Sequence, residues 1–116
     1  MRGRISEAEE ARIERAIQAA VSGSWNEFAK LTDAPFSNDA SMREQFEDSS
    51  RRLQETEGRW KMSSEVGIVR DGTHLITTRI EARPAVDIVL SLHSTNDQND
   101  STISIWTFYQ QLSWDD

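Results

Sequence analysis

The sequence predicts an α+β domain: three N-terminal helices over about residues 6–57, packed on a curved four-stranded antiparallel sheet over about residues 59–112. Three observations carry this prediction. Apolar residues recur at helical spacing before Gly58 and at a period of two after it. Ser-x-x-Glu occurs at Ser6–Glu9, Ser24–Glu27 and Ser41–Glu44, each time ahead of a helical pattern, as in the reciprocal cap that opens a helix. The stretch Ala85–Leu92 puts Val86, Ile88, Leu90 and Leu92 on one face, a strand with a buried side around which the others can pair.

The first helix is expected from about Glu7 to Ser22. Ile13, Ile17 and Val21 form an apolar stripe beside Ala16 and Ala20, and Gly23 can supply a left-handed C-cap. The second runs from Trp25 to about Leu31, with Trp25, Phe28 and Leu31 on one side, and Ala34-Pro35 stops it. The third begins after Ser41 and ends near Gly58. It buries Met42, Phe46 and Leu53, with Glu47–Arg51 and Asp48–Arg52 as ion pairs one turn apart.

The first strand carries Trp60, Met62, Val66 and Ile68 and leads into a hairpin turn at Arg70-Asp71-Gly72-Thr73. The second, His74 to Ala82, has Ile76, Thr78 and Ile80 on one face, and Pro84 interrupts the ladder after it. The third is the organising strand, extended to about Ser94. The polar stretch Thr95–Ser101 reads as an exposed loop. The last strand, Thr102 to Leu112, is apolar on both sides: Ile103, Ile105 and Tyr109 on one, Trp106, Phe108 and Leu112 on the other.

A chain of 116 residues is expected to form one domain large enough for its own core. It has no cysteine, which excludes disulfides, thiolate metal sites and cysteine nucleophiles. Residues 1–58 hold 12 acids against 8 bases and residues 59–116 hold 8 against 5, so the net charge of −7 is spread along the chain. That balance argues against nucleic acid, whose binding needs a basic patch, and leaves room for a basic protein partner. No stretch approaches the roughly 20 apolar residues needed to span a bilayer. With no apolar leader segment near Met1, a cytoplasmic protein is expected, or a secreted one if a leader has been removed.

The order of elements, with Ser22-Gly-Ser-Trp-Asn-Glu-Phe-Ala-Lys-Leu31 after a long helix, Leu53-Gln-Glu-Thr-Glu-Gly58 before the first strand and an aromatic-rich final strand, resembles the nuclear-transport-factor-like superfamily of α+β cone folds. That superfamily includes ketosteroid isomerases, polyketide cyclases and non-catalytic members. The resemblance implies a sheet that closes one end of a pocket. The enzymes place an aspartate or histidine with a tyrosine or second acid inside the cone, and no such set matches here residue by residue, so no catalytic residue is carried over.

Read from the residues, the candidates are few. Trp25, Phe28, Asp33, Trp60, Trp106, Phe108 and Tyr109 could line a pocket for a flat apolar ligand. Asp87 and His93 share a strand face but lie about 20 Å apart along it, too far for a direct dyad, and His74 follows a turn. Two isolated histidines make no metal site, and no glycine-rich phosphate loop or GxSxG elbow occurs, so no cofactor is expected. The leading expectation is a non-catalytic domain binding a protein partner or a small apolar ligand. A second is an isomerase or cyclase using Asp33, Asp87 or His93 as base. A third is an acidic inhibitor or immunity-type protein that steers a basic partner with Glu44, Glu47 and Asp48. Three helices can cover one face of a four-stranded sheet, which predicts a homodimer through the other face, with either Ile103 and Ile105 or else Trp106 and Phe108 as the candidate contacts.

Overall fold

The computed structural model describes residues 5–36, 38–68, 71–81, 87–95 and 101–110. Its elements follow the expected order. Helices α1 (Glu7–Ser22), α2 (Trp25–Ala29) and α3 (Asp39–Glu55) precede strands β1 (Lys61–Ile68), β2 (His74–Glu81), β3 (Ile88–Ser94) and β4 (Ile103–Gln110). The strands form one open antiparallel sheet in the order β1-β2-β3-β4. The helices pack on one face, α3 along β4 and α1 against α3 and α2. Among the described residues no helix is long and apolar enough to cross a membrane.

Helix α1 forms as its sequence dictates. The Ser6 side chain accepts from the Glu9 N–H, the Glu9 carboxylate accepts from the Ser6 N–H, and Gly23 closes the helix at φ 74°. Ile13, Ala16, Ile17 and Ala20 are buried, whereas Val21, expected on the same stripe, is exposed in the last turn. Ser24 caps α2 by accepting from the Glu27 N–H, and the helix ends at Ala29, two residues short of the expectation. The cap of α3 is Asn38, which accepts from the Ser41 N–H. Ser41 therefore sits inside the first turn, and the Ser41–Glu44 box does not start the helix. An asparagine cap competes well with serine. The expected pairs on α3 are also exchanged: Arg43 bonds Glu47 at 3.0 Å and Arg51 bonds Asp48 at 2.7 Å. Side chains three and four residues apart are both within reach on a helix, so spacing alone does not choose between arginines. The helix closes at Thr56, and positive φ falls on both Glu57 and Gly58 beyond it.

In the sheet, Val66, Ile76, Thr78, Ile80, Ile88, Leu90 and Leu92 face the helices. Asp71 holds the approach to β2 by accepting from the Thr73 N–H and hydroxyl, which keeps its carboxyl below the usual range. The expectations for Arg70, Ala82, Pro84, Ala85, Val86 and Leu112, and for residues 96–100 of the polar loop, lie outside the described residues. Thr95 is exposed as expected, but Ser101 is buried, bonded to Ser94 at 2.6 Å.

The largest departure is in β4. Pairing with β3 shifts register between Ser91 and Leu92: Leu92 faces Ile105 and Ser91 faces Thr107, so Trp106 is an extra residue in β4. The bulge resets the alternation. Phe108 joins Ile103 and Ile105 on the helix face, all three buried, and Tyr109 joins Trp106 on the open face. The strict two-sided reading, with Phe108 opposite Ile105, is corrected by this one residue.

Inside, Phe28 stacks on Phe108 with centroids 5.3 Å apart and meets Phe46 at 4.8 Å. These rings lie between the helices and the sheet.

Candidate functional site

The linker between α2 and α3 is fastened to the outer edge of β4. The Asp33 N–H donates to the Ile103 carbonyl and the Ile103 N–H donates back to Asp33 Oδ2, both at 2.8 Å, so a carboxylate completes a two-bond bridge of the kind a neighbouring strand would make. Asp33 Oδ1 accepts from Arg12 at 3.1 Å, and Arg12 also reaches the carbonyls of Leu31 and Ile103. The Thr32 hydroxyl accepts from the Ile105 N–H and donates to the Ala34 carbonyl. Farther along, Gln45 accepts from the Phe108 N–H and Ser49 donates to the Phe108 carbonyl.

Held in this way, the linker forms one wall of a groove of about 660 Å³. Trp25, Ala29, Pro35, Phe36 and Ala40 make an apolar lining, and Asp33, Asp39 and Arg43 stand at its polar margin. The Arg43 guanidinium lies 5.8 Å from the centre of the Trp25 ring, and Phe36 packs against the same indole at 5.7 Å. Such a surface can hold an aromatic or branched apolar group beside a cation.

Of the pocket residues expected from sequence, Trp25 and Asp33 line this groove. Both Asp33 oxygens are already bonded, which makes it a support of the wall and not a free base. Phe28 and Phe108 are core residues, fully buried. Trp60 packs at the edge of the core and borders a separate hollow of about 250 Å³ with Met62 and α1. Trp106 and Tyr109 are on the opposite, open face of the sheet. The seven residues therefore do not converge on one site. Of the candidate contacts for the open face, Ile103 and Ile105 face the helices, Phe108 joins them beyond the bulge, and Trp106 lies on the open face.

The other candidates are dispersed too. His93 lies flat against Trp106, 4.8 Å between ring centres and 2° from parallel. Asp87, at the other end of β3, bonds Arg79 at 3.3 Å. Two of the three acids on α3 already face their own arginines, so that helix presents mixed charge.

Sequence reasoning missed three things. Phe36 and Arg43 line the groove, and an isolated aromatic just past Ala34-Pro35 was the available signal for the first. The third is the pair made by Glu9 and His74, both buried, in which Glu9 Oε2 lies 3.1 Å from His74 Nδ1. The pair ties the start of α1 to β2 and borders none of the hollows described. Among the described residues no group of three His, Asp or Glu side chains is placed to hold a metal ion. No protein-family model matches the chain, and neither the curated proteins nor the solved structures contain a significant match to it.

Proposed function

We propose that the chain is a small non-catalytic binding domain of the nuclear-transport-factor-like type, which takes a small apolar ligand or an apolar side chain of a protein partner in the groove beside Trp25. One observation carries the reading. The interior where the enzymes of that superfamily hold their acids and bases is filled here by Phe28, Phe46 and Phe108, while Trp25 and Phe36 stay partly open to solvent in the groove. Of the three candidate bases, Asp33 supports it further, since it is bonded through both oxygens. An apolar lining with few polar groups at its margin is the usual make-up of a small-molecule or side-chain pocket.

The test is an amide NMR titration with indole as the probe. Shifts are expected to gather at Ala29, Phe36 and Ala40 and at the Trp25 ring. Ala40→Arg, at an exposed position on the groove wall, should abolish them while leaving the melting temperature unchanged. Perturbations that avoid the groove, or survive Ala40→Arg, would remove it as the binding site.

A further inference from the structure

Asp71-Gly72 is the only place in the chain where an aspartate or asparagine precedes a glycine. Both residues are exposed in the turn that leads into β2, and Gly72 holds φ at 84°. A glycine nitrogen has no Cβ beside it, so the carboxyl carbon of the preceding aspartate can approach it with little hindrance. Attack by the Gly72 nitrogen on Asp71 Cγ forms an N–C bond, while the amide proton and a carboxyl oxygen leave as water. The product is a cyclic imide, which water then opens at either carbonyl. Opening at Cγ restores aspartate. Opening at the α-carbonyl breaks the original peptide bond and leaves the chain running through Cγ, an isoaspartate of unchanged mass.

The turn opposes this reaction through Thr73. That residue donates to Asp71 Oδ1 from its N–H at 3.0 Å and from its hydroxyl at 2.7 Å. The two bonds draw the carboxyl group past Gly72 to the next residue, and ring closure has to break them. They also keep the group ionised, the hydroxyl lowering its pKa most and the N–H next. Closure expels a carboxyl oxygen as water, so the protonated acid reacts more readily than the carboxylate. We propose that Asp71 is a site of isoaspartate formation and that the Thr73 hydroxyl is the restraint that sets its rate. The proposal is independent of the groove. Conversion would add a methylene to the main chain just before β2, which begins at His74, the residue that meets Glu9 of α1.

The test is to hold the folded chain at neutral pH for weeks and then cleave it after glutamate. Residues 66–81 come off as a peptide carrying the turn, and its aspartyl and isoaspartyl forms separate by chromatography at equal mass. The same peptide made synthetically gives the rate without the fold. The folded wild type should convert about fivefold more slowly than the peptide, the factor that one net hydrogen bond is worth. Thr73→Val, which removes the hydroxyl, should recover most of that factor, whereas Thr73→Ser, which keeps it, should convert as slowly as the wild type. Circular dichroism checks that each variant is folded. A wild type that converts as fast as the peptide, a Thr73→Val chain no faster than the wild type, or isoaspartate that gathers first at another aspartate would each overturn the proposal. The comparison of wild type with peptide decides the matter even if Thr73→Val does not fold.

Discussion

Strands β1 and β4 form the two edges of one sheet and each has eight residues, yet their unpaired backbones meet opposite fates. Along β4, Thr32, Asp33, Gln45 and Ser49 stand in for a fifth strand, with side-chain oxygens as acceptors and the Ser49 hydroxyl as a donor. Along β1 only Val66 is buried, and every other residue of the strand is exposed. The difference follows from where the helices lie. Helix α3 and the linker before it run beside β4, so polar side chains on them come within bonding distance of that edge. An edge strand is a template for another chain unless it is covered. One edge here is covered from within the chain, and along the other no described group from outside the sheet bonds the backbone.

The sharpest way to break the contrast is to uncover β4. Thr32→Val with Asp33→Ala removes the acceptors of the Ile103 and Ile105 N–H groups and a partner of Arg12. We expect a loss of about 2–4 kcal/mol in urea unfolding, together with faster amide exchange at Ile103 and Ile105. A loss below about 1 kcal/mol would show that water replaces these caps at little cost. Next is Ser49→Ala, which deprives the Phe108 carbonyl of its side-chain donor in a buried setting and should cost about 1–2 kcal/mol.

On the other edge the same kind of change should matter much less to the fold. The Ile103 N–H points away from β3, and the alternation of the ladder then turns the Met62 N–H away from β2. Met62→Pro removes this N–H, which no described group accepts, so its effect on unfolding should stay within about 1 kcal/mol at concentrations where the chain is monomeric. A loss as large as that of the β4 double variant would mean that the Met62 N–H points inward, and the direction of the whole ladder would have to be reversed. The smallest effect concerns pH. Asp71 titrates below its ordinary 3.8 because Thr73 bonds the carboxylate, so its contribution is fully present above that value and is lost as pH falls from there through the folded-state value. Acid titration by NMR should therefore loosen the turn at Asp71 and Thr73 while the Asn38 cap of α3, which carries no charge, stays in place.

Much of the fold was legible because its signals are local. The Ser6–Glu9 box, Gly23 and the Ile13–Ile17 stripe define α1 by themselves, and the spacing of Ile76, Thr78 and Ile80 defines the inner face of β2. The start of α3 was misread because Asn38 and Ser41 are both good caps, and Asn38 is the one that bonds the first turn. The candidate site was less legible. Trp25 and Asp33 were identifiable as residues of interest, but Phe36 and Arg43 reach the indole only after α2, the linker and α3 have packed.

The sequence by itself determined the α+β order, the helix face of the first three strands and the acidic balance, since each follows from the period of apolar residues or from a count. Tertiary structure decided which side of β4 each aromatic takes. Ile103, Ile105, Trp106 and Phe108 fit an unbroken two-sided strand as well as a bulged one, and pairing with Ser91 and Leu92 selects the bulge. It also decided that Asp33 is a strand cap and that Glu9 meets His74, contacts between residues 70 and 65 positions apart. Neither can be read from spacing, because a side chain's partner at such separation is set by how the layers dock and not by its neighbours in the chain.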